Sequence, residues 1–192
     1  LSKMKRTGTT TIAAISSYSF DLDACVKSPL NKVFFCEVIG TKGDMIDTLF
    51  ADFKDRLNIA KKYKSANFIP AIAIHSPYSV HPFLVRETLK LAREENLPVT
   101  SHFLESREEF EWLHKDEGAF VEFFKNFLGQ EQSVTKPMEF LNLFSNIKNL
   151  SFTHCVEASS ADFDKIKLLG ASVNHCVTSN RFINNTKLDL TK

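Results

Sequence analysis

Leu97-Pro98-Val99-Thr100-Ser101-His102-Phe103-Leu104-Glu105 is the stretch that decides how the chain is read. A short apolar run leads into a histidine, and a glutamate follows three residues later. If Val99 to His102 is a buried strand, His102 sits where that strand leaves the sheet. Glu105 then begins the turn into the next helix, with its carboxylate able to fold back over the same mouth. A neutral imidazole in that place can ligate a metal, and a carboxylate one turn away can move protons on an activated water. A single pair of this kind is more simply a core histidine followed by a helix-capping glutamate. Recurrence along the chain is what favours chemistry.

Outward from this stretch, the same pattern repeats. Thr9 to Ser16 is β-branched and apolar, follows Gly8, and reads as a strand. Ser19-Phe20-Asp21 caps a short helix through Lys27, closed by Pro29. Lys32 to Ile39 is a second strand, and Asp44 is expected to cap a long helix with Ile46, Leu49, Phe50, Phe53, Leu57 and Ala60 on one face. Phe68 to Ile74 is a third strand ending on His75, followed by a helix to about Asn96. After the strand carrying His102 comes a helix from Ser106 to His114. A phenylalanine-rich insertion of helix and loop fills about 115–136. Pro137 to Ile147 is a further helix, and Leu150 to Thr153 is a strand ending on His154. Ser160 caps a helix over Ala161 to Leu169, Gly170 stops it, and Ala171 to Asn174 is a strand ending at His175.

Apolar runs alternating with helices indicate parallel strands buried on both faces. A doubly wound sheet calls for a glycine-rich phosphate turn after the first strand, and Ser16-Ser17-Tyr18-Ser19 is not one. A (β/α)8 TIM-type barrel predicts chemistry at the C-terminal ends of several strands, where His75, His102, His154 and His175 all fall. Six of its eight strands are present, so the expected fold is an incomplete barrel forming one partial domain over residues 1–192.

Composition narrows the function. The chain has 24 basic and 23 acidic residues, a net charge of +1, which implies neither nucleic acid nor an anionic membrane as partner. No uncharged apolar run approaches the ~20 residues that span a bilayer. The start, Leu1 to Arg6, has no apolar stretch behind its charges and reads as the end of a helix, not a signal peptide. The four cysteines lack paired short spacing, which points to reduced thiols and a cytoplasmic protein.

Taken together, His75-Ser-Pro-Tyr78, His102-x-x-Glu105, Thr153-His154-Cys155-Val156 and His175-Cys-x-x-Ser179-Asn180 resemble the amidohydrolase superfamily. Within it they resemble the branch of cytosine, guanine and adenosine-type deaminases and triazine chlorohydrolases, as does the opening Gly8-Thr9-Thr10-Thr11. The resemblance covers nearly the whole chain. It implies one divalent metal ion, zinc first, with iron or manganese as alternatives, and His102 as its ligand. It implies Glu105 as the proton shuttle and His154 beside the metal, orienting the attacking water. His75 and Tyr78 would contact substrate, and Ser179 and Asn180 would shape the pocket. Ile72 to Ser79, Ser101 to Ser106 and Ser179-Asn180-Arg181 look most like deaminases acting on aminodeoxyfutalosine, an amino-purine nucleoside-like molecule of bacterial menaquinone biosynthesis. The implied reaction is hydrolytic loss of ammonia from the purine six-position, with metal-activated water attacking that carbon. A chlorohydrolase, a guanine- or cytosine-type deaminase, and a metal-free relative that only binds a ligand or partner are the alternatives.

The sequence also departs from the family. The superfamily takes two ligands from a His-x-His after its first strand and another from an aspartate after its eighth. No His-x-His occurs here, and Asp189 lacks the surrounding motif. The chain therefore looks like strands two to seven of a barrel, and alone it is expected to be inactive.

Simpler roles suit other residues. His81 reads as a surface residue at a helix start, and His114 as a cation at a helix C-terminus. His175 reads as a strand-end hydrogen-bonding residue. Cys155 and Cys176 each follow a histidine and point to the opposite face, so they read as packing. Arg107, Glu108, Glu109 and Glu111 read as the solvated face of a helix whose buried side is Phe110 and Leu113. The insertion reads as a packing arm against a missing part or the second subunit of a homodimer, with a lid over an aromatic substrate as the alternative.

Overall fold

The computed structural model describes residues 1–184 and 186–191; Asn185 and Lys192 lie outside them. Six parallel strands form one sheet: β1 Thr11–Ser16, β2 Asn31–Val38, β3 Phe68–Ile74, β4 Val99–Phe103, β5 Leu150–His154 and β6 Ser172–Asn174. Each strand pairs with the next in chain order, from β1 to β6 without reversal. A doubly wound sheet would reverse direction at a switch point. The unbroken order, with helices between strands, is that of an open half-barrel.

The helices are α1 Ser2–Arg6, α2 Leu22–Lys27, α3 Ile46–Lys61, α4 Pro82–Glu95, α5 Arg107–Lys115, α6 Phe120–Leu128, α7 Pro137–Asn142, α8 Ser160–Leu168 and α9 Val177–Asn184. Strand side chains alternate between two faces. Phe34, Cys36, Val38, Ile72, Ile74, Val99, Phe103, Leu150 and Phe152 pack under the helices with Phe53, Leu57, Leu84, Leu89, Trp112, Leu113, Phe140 and Phe144. Fully burying one such aromatic or leucine is worth roughly 1.5–3 kcal/mol, so this layer dominates cohesion. The opposite, concave face carries a smaller apolar cluster of Val33, Phe35, Ala71 and Ala73. On β4 and β5 it turns polar, with the Ser151 hydroxyl donating to Thr100 Oγ1 at 2.9 Å.

Element ends differ from the sequence expectations where local bonding wins. Asp44 does not cap the long helix: Gly43–Met45 form a 3-10 turn ahead of α3. α7 stops at Asn142, short of Ile147. Ser159, not Ser160, caps α8, in a reciprocal pair with Asp162. The segment after β6, which carries Ser179 and Asn180, is the helix α9. His81 is half-buried and caps α4, its Nδ1 accepting from the Phe83 N–H at 3.2 Å. Gly40 ties two strand ends together, its N–H donating to Ser79 O (2.8 Å) while its carbonyl accepts from the His81 N–H (2.7 Å). It holds φ +146, and a Cβ there would stand 2.2 Å from Leu49 Cδ1. Only glycine fits this crossing without displacement.

Candidate active site

Three strands send their ends to one mouth. On β2, β3 and β4 the two-residue alternation that places Phe35, Ala73 and Thr100 on the concave face also places Glu37, His75 and His102 there. Ligand atoms of Glu37, His75 and His102 all lie within 4.8 Å of one another. His102 is held by a single carbonyl: its backbone N–H donates to His75 O at 3.0 Å and its Nδ1–H donates to the same oxygen at 2.7 Å. That bond assigns the tautomer and leaves a lone pair on Nε2. His75 Nδ1 lies 2.6 Å from Ser79 Oγ and 3.2 Å from Ser76 Oγ, so its Nε2 is likewise the outward nitrogen. Burial lowers the His75 pKa, and the nearby Glu37 carboxylate opposes that shift. Glu37 is 3% exposed and accepts from the Ser17 hydroxyl at 2.6 Å.

Two imidazoles and a carboxylate form a donor set that suits zinc, iron or manganese. The setting, with Glu37 buried and both histidines half-buried, and the tautomer fixed on His102 fit such an ion. Sequence reasoning picked out His102 and His75 but missed Glu37. Its signal was present, as the one acidic residue inside the apolar run Lys32 to Ile39.

Glu105 and His154 meet beside this cluster. His154 Nε2 stands 3.1 Å from Glu105 Oε1, and the His154 ring stacks on His102 with centroids 5.4 Å apart. Strand alternation alone would turn His154 toward the helices with Leu150 and Phe152. Instead His154 adopts φ +77, and Cys155 φ +52, which swings the ring onto the mouth and drops Cys155 into the core. For a non-glycine residue that backbone costs on the order of 1 kcal/mol, and strain of this kind clusters at functional sites.

Behind His154, Nδ1–H donates to Asn180 Oδ1 at 2.7 Å, while Asn180 Nδ2–H donates to His175 Nδ1 at 3.3 Å. Burial lowers the His154 pKa; the Asn180 bond and the Glu105 charge work against it. With Nδ1 engaged by Asn180, His154 turns Nε2 to the Glu105 carboxylate. Asn180 is fully buried and faces histidines rather than the mouth, whereas Ser179, its neighbour on α9, is half-buried. Tyr78 is half-buried, packs edge-on to His75 at 5.9 Å and lies 5.1 Å from Phe120 of α6. Burial pushes its hydroxyl up to about 12, so it stays a neutral donor.

The model of the amidohydrolase family matches residues 1–191. The chain belongs to the amidohydrolase family. It is 44% identical over 192 residues to an aminodeoxyfutalosine deaminase of a Nitratiruptor species, covering 100% of this chain and 47% of that protein. The crystal structure of Helicobacter pylori aminofutalosine deaminase superposes with a TM-score of 0.87 at 28% identity, over 96% of this chain and 47% of that one. A guanine deaminase from C. acetobutylicum shares the fold, with a TM-score of 0.71 at 22% identity, over 97% of this chain and 43% of that one. This amidohydrolase chain thus spans about half the length of the relatives it matches.

Proposed function

We propose that the complete gene product is a metal-dependent deaminase of an amino-purine nucleoside-like substrate, with aminodeoxyfutalosine as the best candidate. The observation that carries this reading is the Glu105–His154 pair, 3.1 Å apart, with the His154 ring stacked against His102. Similarity to the Nitratiruptor deaminase supports the substrate.

The overall reaction exchanges an exocyclic amine for oxygen: water adds at the ring carbon, the carbon–nitrogen bond breaks, and ammonia leaves. Glu105 takes a proton from the attacking water, passes it to the adjacent ring nitrogen, and later returns a proton to the departing amine. His154, held by Asn180, orients the water and faces the Glu105 carboxylate. Tyr78 and His75 line the substrate side, with Ser179 at the rim. A divalent ion held by His102, with Glu37 and His75 within reach, would lower the pKa of a water from 15.7 to about 7. The 192-residue chain alone is not expected to release ammonia.

Replacing Glu105 by Gln in the complete protein removes the shuttle. Ammonia release should fall by roughly 10²- to 10⁴-fold with metal still bound, and full activity in this variant would defeat the assignment. Metal analysis separates the two histidines. His102→Ala should lose the ion, whereas His75→Ala should keep it and raise KM; metal loss in His75→Ala would move His75 into the ligand shell. The same reading places the protein in the cytoplasm, where its four free cysteines stay reduced. Among the described residues no helix is long and apolar enough to cross a membrane.

A further inference from the structure

Glu109 sits in the acidic run of α5, where Glu108 and Glu111 are half-buried, yet it is only 1% exposed. The face expected from the sequence is wrong for this residue: Glu109, Trp112 and Leu113 are buried and Phe110 only partly so. The cause is local. Ser106 and Glu109 stand as the cap and third residue of α5, and Ser106 Oγ accepts from the Glu109 N–H at 3.2 Å. In a capping box the glutamate would return to the cap residue's own N–H. Here it reaches further back. Oε1 accepts from the Leu104 N–H at 3.0 Å and Oε2 from the Glu105 N–H at 2.8 Å. Both carboxylate oxygens are thus spent on the turn that carries Glu105, in which Leu104 holds φ +45.

Burial pushes the Glu109 carboxyl up to about 7, with the two backbone N–H groups and then the Glu105 charge as lesser influences. Among the described residues no basic side chain is paired with it. A helix cap alone needs none of this, since Ser106 already supplies it. The chain tolerates a buried, unpaired acid in a place where it can do one thing, which is to fix two N–H groups of a left-handed turn.

We propose that Glu109 is a positioning residue: its carboxylate clamps the Leu104 and Glu105 N–H groups and so sets where the Glu105 carboxylate stands against His154. This rests on the deaminase reading, in which Glu105 shuttles protons. Misplacing a reacting group by about 1 Å costs on the order of 10²-fold in rate.

The test uses the complete protein, with Glu109→Gln as the variant, which offers one oxygen where two are needed. Deamination of aminodeoxyfutalosine should show kcat lowered by about 10²-fold and KM within about threefold, with metal content and thermal transition retained. An unchanged kcat overturns the clamp. So does a loss of kcat that only follows a loss of folded protein or metal, which would make Glu109 merely structural. Backbone amide exchange in the unaltered protein gives a reading that needs neither the variant nor activity. The Leu104 and Glu105 N–H groups should be protected like those inside β4, and exchange as fast as an open loop overturns the proposal. An unaltered protein that releases no ammonia defeats the deaminase reading, while amide exchange still judges the clamp on its own.

Discussion

His154 shows how much of the site depends on single backbone angles. Leu150 and Phe152 face the helices, and two-residue alternation would send His154 after them. The left-handed turn at His154 and Cys155 reverses that, and Asn180 then holds the ring from behind. Orienting partners of this kind are worth about 10- to 100-fold in activity when removed. Asn180→Leu, which deletes the acceptor for Nδ1–H, should lower kcat by about 10- to 100-fold. Asn180→Asp keeps the acceptor and should retain more of the rate. Nitrogen shifts of the His154 ring would report the tautomer in each. Wild-type kcat in Asn180→Leu would show that the ring needs no such support.

The elements themselves were largely legible. Apolar runs marked all six strands, because strands covered on one face by helices and lining a barrel on the other contain few polar positions. Boundaries were less so, since caps depend on which side chain reaches a free N–H. Asp44 and Ser160 had suitable chemistry and were outcompeted by a 3-10 turn and by Ser159. The loop joining β2 to α3 depends on Gly40, whose contacts with Ser79 and His81 hold the turn behind His75. Gly40→Ala combines a strained φ with a Cβ 2.2 Å from Leu49. It should destabilise the protein by about 1–3 kcal/mol, measured by urea unfolding. A variant as stable as the parent would mean that Leu49 moves aside without cost.

At the scale of the whole molecule, burying an acid makes stability depend on pH in a direction opposite to the usual carboxylate. Unfolded, Glu109 ionises near 4.5; folded, it holds its proton up to about 7. Through that window the unfolded chain releases a proton that the folded chain keeps, so this group's contribution to stability declines as pH rises and levels off above about 7. Tyr78, Glu105 and Cys155 are the titratable groups whose charge it senses or perturbs. His75 and His154, with lowered pKa values, act the other way below 6.5. Comparing Glu109→Gln with the parent cancels the histidines. The parent should lose stability relative to the variant between about pH 5 and about pH 7.5 in urea unfolding, and parallel curves would contradict the raised pKa.

The sequence by itself determined the parallel order of strands and helices, the arrival of His75, His102 and His154 at strand ends, and the family. The first two are written in local periodicity, in which an apolar run and the residue that ends it travel together, and the family is carried by the motifs at those strand ends. The tertiary structure alone decided that Glu37 joins His75 and His102. It decided that α9 carries Asn180 behind His154. It also decided that Glu109 turns inward to hold the Glu105 turn. The physical reason is that these contacts are made across strands and turns. Periodicity tells which face a side chain leaves from, and only packing tells what it meets.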